Sequence, residues 1–305
     1  MGRQENIEIF ENTMSMCRTD PFLRSAIKES SGAQSLIPEG DWVELPMIQK
    51  GAAAKVVVSR KRTLEAAAGY ARAGKRVCVL NFASASNPGG GVKNGSSAQE
   101  EAICRCSTLY MNLIQPDMWS GFYTPHRAAP DPLHSDDCIY TPGVVVFKTD
   151  SALPEVMPQE EWYSVDVITC AAPNLREKPS NSMNYDGHSA VSISDGDLRK
   201  LHEKRMERIL SIAAQHGCDV VILGAFGCGA FMNPPEVVAA GIRSALEGFM
   251  ERFETVEFAV YCSQRDDTNF RVFDREFGSR KCLRLKSENQ NRRRAMLPAG
   301  SFIQS

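Results

Sequence analysis

The chain is poor in histidine and has no paired-cysteine motif. Its five histidines, at positions 126, 134, 188, 202 and 216, show no ligand spacing. The ten cysteines are scattered, without a Cys-x-x-Cys pair. These absences exclude a recognisable zinc site and a disulfide framework. Cys78, Cys170, Cys218 and Cys262 lie in or beside apolar runs, where a free thiol acts as a small hydrophobe. Such usage suits a reducing compartment. No apolar run is long enough to span a bilayer. The opening MGRQENIEIF has no apolar h-region, and Gly2 is followed at position 6 by Asn6, where a myristoylation signal wants Ser or Thr. We therefore expect a cytoplasmic protein with no membrane partner. The net charge of −2 and the isoelectric point of about 6.3 argue against direct nucleic-acid binding through a broad basic face. No internal repeat is legible, and nothing calls for a metal or another cofactor.

What is present is enough apolar material for a large core: 43% of 305 residues. Residues 5–31 read as two short helices broken at Asp20-Pro21, and residues 32–50 as a polar covering segment. Strand-like and helix-like runs then alternate. Strands are predicted at 55–59, 76–82, 143–147, 165–171, 219–223 and 256–262. Helices are predicted at 63–73, 97–115, 197–216, 234–253 and 269–277. Near-continuous apolar strands alternating with helices imply a mixed or parallel sheet covered on both faces, an α/β fold. The Ser-, Asn- and Asp-rich segment 174–196 reads as a long loop over a site. The organisation predicted is an N-terminal helical extension (1–50) packed on the core, a catalytic domain (51–283), and a polar tail (284–305) carrying Arg292, Arg293 and Arg294.

Two loops carry the chemistry. In the first, Asn87-Pro88 leads into Gly89, Gly90 and Gly91, and seven residues later come Gln99, Glu100 and Glu101. Bare glycine backbone can lie directly against a ligand, with its N–H groups facing a ribose and an attached phosphate. Ser97-Ala98-Gln99-Glu100 matches a capping box, with Ser97 as N-cap, which by itself would account for Glu100. It leaves Glu101 unexplained. A carboxylate in the first helical turn interacts favourably with the helix dipole, whereas apolar walls and a bound diphosphate would raise its pKa towards that of a general acid.

The second loop is GAFGCGAFMNPP, Gly224 to Pro235, between a strand and a helix. Asn233 suits an N-cap and Pro234 the first helical position. Gly227 and Gly229 allow close backbone approach, so the loop reads as a diphosphate site at a helix N-terminus. It would lie at the carboxyl end of a strand, where open α/β sheets bind ligands. Cys228 could be a nucleophile there, but without an evident His partner it reads as a packing residue. Together the loops imply one ligand with two ends, a diphosphate on the second and a sugar with a scissile bond beside Glu101.

Three glycines, seven residues and then Gln-Glu-Glu, preceded by NFASASNPGGG and followed by GAFGCGAFMNPP, resemble the signature of the poly(ADP-ribose) glycohydrolases. The match is to their shorter microbial branch and covers roughly residues 40–280. The resemblance implies a macrodomain-like three-layer α/β/α fold with a mixed sheet of six to seven strands. It implies hydrolysis of the ribose–ribose bond of poly(ADP-ribose), or of an ADP-ribosylated protein, with ADP-ribose as product, and a monomer needing no cofactor. By position, Glu101 takes the catalytic role and Glu100 orients the ribose. Asn87, Gly89, Gly90, Gly91 and Gln99 are expected around the terminal ribose and phosphate. Gly227, Cys228, Gly229, Ala230 and Phe231 are expected on the diphosphate, with Phe231 also near the ribose. The chain departs from the animal enzymes after Phe82-Ala83, where Ser84 follows and the nearest Asn is Asn87. Their accessory helical domain is not expected here, where residues 1–50 could supply only a small helical cover.

Two consecutive glutamates cannot flank a bond as the separated pair of ordinary glycosidases does. One of them, Glu101, is therefore expected to serve first as acid and then as base. Two other readings use the same cleft: hydrolysis of mono-ADP-ribosylated targets, and a non-catalytic ADP-ribose reader, for which a second acid would have no use.

Overall fold

The computed structural model describes residues 2–41, 43–47, 52–181, 185–187, 189–262 and 265–278. The polar tail at 284–305 lies outside the described residues, as do positions 182–184 and 188 of the long loop.

The chain opens with α1 (Arg3–Thr19) and α2 (Pro21–Gly32). The break falls at Asp20-Pro21 because the Asp20 carboxylate accepts from Leu23 N at 3.0 Å, capping a helix that starts on proline. A short strand β1 (Ser35–Ile37) follows, then β2 (Lys55–Ser59), α3 (Thr63–Arg72) and β3 (Val77–Ala83). After the glycine loop come α4 (Gln99–Cys106), α5 (Leu109–Leu113), and α6 (Pro116–Met118), which runs through a π turn into α7 (Thr124–Ala128). Strands β4 (Cys138–Val146) and β5 (Tyr163–Ala171) precede α8 (Asp195–Gln215), β6 (Val220–Leu223), α9 (Pro235–Glu247), β7 (Thr255–Ala259) and α10 (Thr268–Phe277).

The seven strands form one mixed sheet in the order β1-β4-β5-β3-β6-β7-β2. Five neighbours from β5 to β2 are parallel, while at one edge β4 pairs antiparallel with both β5 and β1. Alternate residues of β3 serve opposite cores. Cys78 and Leu80 pack with Ile209, Ile242 and Phe258 under α8, α9 and α10. Val77 and Val79 pack with Leu64, Ile103 and Leu109 under α3, α4 and α5. Both faces are covered, which is why the parallel strands read as unbroken apolar runs.

The expected α/β sandwich is thus present, with local corrections. The helix predicted over 97–115 is interrupted at Ser107, which bridges to Val146 on β4. There Thr108 N donates to Val145 O at 3.0 Å and its hydroxyl accepts from Val145 N at 3.1 Å. The unpaired edge of β4 captures the backbone and overrides helical propensity. Strand β4 begins five residues before its apolar run and contains a bulge at Gly143. Strand β1 and the helical stretch 116–128 carried no periodic signal.

Arg205 of α8, fully buried, ties the segment after α7 to the sheet. It pairs with Asp136 at 2.8 Å and donates to the carbonyls of Leu133, His134 and Ala171. Burial alone would raise the Asp136 carboxyl, but Arg205 and Lys204 together hold it below its usual range. Removing one member of a buried pair leaves the other uncompensated. We predict that Arg205→Ala costs about 3–5 kcal/mol, read as a lowered denaturant midpoint, whereas the exposed Lys200→Ala leaves the midpoint unchanged.

Candidate active site

Strands β3, β5 and β6 end side by side, and the loops that leave them enclose a cleft of about 1000 Å³. Gly90, Gly91, Gln99, Glu100, Glu101, Gly227, Gly229, Ala230 and Phe231 all line it. The two glycine loops therefore share one cavity.

The first loop begins with a serine turn. Ser84 Oγ accepts from Ser86 N at 3.3 Å and from Asn87 N at 3.1 Å. Asn87 O then accepts from Gly90 N at 2.9 Å. This folds Gly90 back over the start of α4 with φ of +55°. A Cβ on Gly90 would stand 2.7 Å from Glu101 Oε1 and 3.1 Å from Glu100 Oε2. Both carboxylates thus lie about one point, and only glycine leaves room for them. Glu101 is 8% exposed and accepts from Gly91 N at 2.9 Å. Glu100 is 3% exposed and accepts from Ser84 N at 2.7 Å and Asn81 Nδ2 at 3.3 Å. Burial, and secondarily the adjacent Glu101, push the Glu100 carboxyl well above the usual range, against the Ser84 and Asn81 hydrogen bonds.

The capping-box reading is corrected. Helix α4 starts at Gln99 with Ala98 as N-cap and no side-chain cap. Glu100 instead points down to the end of β3, where Ser84 N and Asn81 draw its carboxylate away from the helix terminus. Gln99 lines the cleft and also secures the helix that carries the glutamates. Strand β6 pairs with β3 only as far as Val79. Beyond that point Gln99 replaces it, donating to Leu80 O at 2.7 Å and accepting from Phe82 N at 2.9 Å. Its second amide proton goes to Thr63 Oγ1 at 3.0 Å. Gln99 thus fixes α4 on the sheet, with both donors committed. Gly89 faces the Tyr110 ring, 2.8 Å from where its Cβ would stand, and Asn87 closes the turn through its backbone.

The second loop is held by Asn233, which does not cap α9. The N-cap position falls on Pro234 and the helix starts at Pro235. Asn233 Nδ2 donates to Pro173 O at 2.6 Å and Gly227 O at 3.1 Å, while its Oδ1 meets His202 Nε2 at 2.9 Å. Burial lowers the His202 pKa to about 4, outweighing the Asn233 bond that raises it, so a neutral imidazole donates from Nε2. The carboxamide is used up as a strut, and the loop itself, rather than the helix terminus, faces the cleft. Gly227 has φ of +79°, and its Cβ would meet Ala172 and Asn233 at 2.7 Å. Burial raises the Cys228 thiol, whose Sγ turns towards Phe226 O at 3.8 Å. A protonated, inward-facing thiol packs and is no nucleophile.

Sequence reasoning missed Asn81 and Ser84, although a lone Asn near the carboxyl end of an apolar strand was a readable signal. Phe82 lines the cleft, its ring 5.5 Å from that of Phe226. Arg176 and Asn181 of the long loop reach the cleft wall. That loop is anchored by buried Asp186, which accepts from Asn174 Nδ2 at 2.7 Å and lies 3.3 Å from His134 Nε2. Among the described residues no group of three His, Cys, Asp or Glu is placed to hold a metal ion.

This geometry agrees with comparison to known proteins. Residues 4–149 match the family model for the catalytic domain of microbial-type PARG. The fold superposes on poly(ADP-ribose) glycohydrolase from Thermomonospora curvata with a TM-score of 0.75 at 30% identity, covering 90% of this chain and all of that one. The chain belongs to the poly(ADP-ribose) glycohydrolase family. The Thermomonospora curvata protein bound to the inhibitor ADP-HPD is also similar (TM-score 0.72, 28% identity, 90% of this chain and 100% of that one). So is the Deinococcus radiodurans glycohydrolase in complex with ADP-ribose (TM-score 0.66, 28% identity, 82% and 96%). A search of curated protein sequences found no match.

Two predictions follow from the buried glutamates of this glycohydrolase. Gly90→Ala displaces both carboxylates and should lower kcat/KM by roughly 10²-fold, measured as ADP-ribose release. Glu100→Gln should alter stability in a pH-dependent way. A carboxyl raised in the folded state makes that state bind more protons than the unfolded chain, so stability falls as pH rises through the window above the ordinary value. The variant should melt roughly 2–4 °C above the parent at about pH 8 and equal it at about pH 4.

Proposed function

We propose that this chain hydrolyses the ribose–ribose glycosidic bond of poly(ADP-ribose) and releases ADP-ribose, with Glu101 as the acid and then the base. The observation that carries this reading is the buried Glu100–Glu101 pair opening into the same cavity as the Gly227–Phe231 loop. A diphosphate lies along that loop, which presents bare backbone at Gly227 and Gly229 and places Phe231 beside the ribose. The distal ribose then sits over Gly90 and Gly91, its hydroxyls oriented by Glu100.

Two carboxylates crowded about one point favour sharing a proton over bearing two charges. Glu101 delivers that proton to the glycosidic oxygen. The C–O bond breaks towards an oxocarbenium ion, and the leaving unit departs with a ribose hydroxyl. The ligand's own phosphate helps to stabilise the cation. The Glu101 carboxylate, still held by Gly91 N, then takes a proton from the water that attacks the anomeric carbon. Proton and hydroxyl are both accounted for, and Glu101 returns to its starting state.

The same reading makes residues 51–283 the catalytic body, covered by residues 1–50, in a monomeric cytoplasmic enzyme. The nine described cysteines are all free and seven of them are buried, which supports a reducing compartment. No helix among the described residues is long and apolar enough to cross a membrane.

Incubation with purified poly(ADP-ribose) tests the assignment. Glu101→Gln should lose about 10²–10⁴ in turnover and keep its affinity for ADP-ribose by calorimetry. Parallel loss of both would assign Glu101 to binding. A parent enzyme active only on mono-ADP-ribosylated protein would move the substrate to that class.

A further inference from the structure

One wall of the cleft is unused by this chemistry. It is formed by Arg3 and Asn6 of α1, Arg62 ahead of α3, Arg105 of α4 and Asp150 after β4. These residues form one neighbourhood. Asn6 Nδ2 donates to Gly95 O at 2.9 Å, and a Cβ on Gly95 would lie 2.7 Å from Arg3 Cγ. Arg105 donates to Ser96 O, and Arg62 and Arg105 both act on the Asp150 charge.

Three buried polar atoms on this wall have no protein hydrogen-bond partner: Asn6 Oδ1, Arg105 Nε and Asp150 Oδ1. Each belongs to a side chain whose other end is committed, Asp150 Oδ2 to Leu64 N at 3.0 Å. Arg105 is 2% exposed. Among the described residues, no carboxylate lies within ion-pair distance of Arg3, Arg62 or Arg105. A buried guanidinium without a counter-charge is costly, as is a buried acceptor without a donor. Folding alone gives this wall no return for either cost. Two spare acceptors beside the guanidinium groups of Arg3, Arg105 and Arg62, the last lying 4.0 Å over the Tyr261 ring, match a ligand with hydroxyl groups and negative phosphates.

We propose that this wall is the subsite for the leaving ADP-ribose unit of the polymer. Its ribose hydroxyls meet Asn6 and Asp150, and its diphosphate lies towards Arg3, Arg62 and Arg105. The subsite deepens the hydrolase reading above and rests on it. It separates two kinds of substrate: the polymer fills this wall, and an ADP-ribosyl group on a small neutral alcohol leaves it empty.

The experiment compares kcat/KM on poly(ADP-ribose) with that on an ADP-ribosyl ether of a small phenol, for the parent, Arg3→Ala and Arg62→Ala, each at low and high salt. Neither variant removes a buried side chain, and melting curves confirm folding. Polymer cleavage should fall about tenfold per arginine, the worth of one charge-assisted contact. Cleavage of the phenyl ether should stay within twofold. The salt dependence seen with polymer should shrink in both variants. Equal losses on both substrates, or no loss on polymer, would overturn the subsite and leave the hydrolase standing. A parent that cleaves neither substrate would overturn the hydrolase reading and the subsite with it.

Discussion

Two adjacent carboxylates taken out of water at the end of one strand govern the rest of this structure. Glu100 and Glu101 occupy the first turn of α4, and each is met by a backbone N–H from the loop that precedes it, Ser84 for one and Gly91 for the other. Buried like charges are tolerable only when they share protons and donors. The loop must therefore pass directly above them without side chains, which makes Gly90 obligatory. The helix must also begin at a fixed height on the sheet. Gln99 sets that height by completing the edge of β3 where β6 has ended. Strand pairing, loop conformation and carboxylate position are thus links of one chain of constraints.

The second half of the cleft is built on neutral struts. Asn233 spends its carboxamide on the loop carbonyls, and a neutral His202 orients it from α8. The Arg205–Asp136 pair fixes the neighbouring segment from the same helix. These buried polar groups leave little freedom at Gly227, whose Cβ-free backbone is boxed in by Ala172 and Asn233. The loop enters the cleft already shaped, so ordering costs on ligand binding are small.

Much of this was legible in the chain. The alternating apolar runs gave the layered sheet, and two glycine loops after apolar strands gave one shared cleft, because ligands gather where parallel strands end. Side-chain direction was harder to read. Ser97 to Glu100 fits a capping box by spacing, yet Glu100 turns to Asn81 and Ser84, contacts that exist only once β3 and α4 are packed. Asn233 suits a helix cap by spacing, but its tertiary hydrogen bonds go to the loop carbonyls, and Gln99 lines the cleft while its amide is held by β3 and Thr63. Ser107 breaks a helix that its neighbours favour because the edge of β4 offers better-paired backbone. Arg3 and Asn6 come from a helix remote in sequence, and no local pattern could bring them to the cleft.

Catalysis here turns on the Glu100 carboxyl that burial and the adjacent Glu101 hold well above its usual range. Carbon-13 NMR of glutamate-labelled protein, titrated with Glu100→Gln as the assignment control, reads this directly. One carboxyl signal should stay protonated above the ordinary acidic range and disappear in the variant. A spectrum in which every glutamate carboxyl titrates in the ordinary acidic range would contradict it.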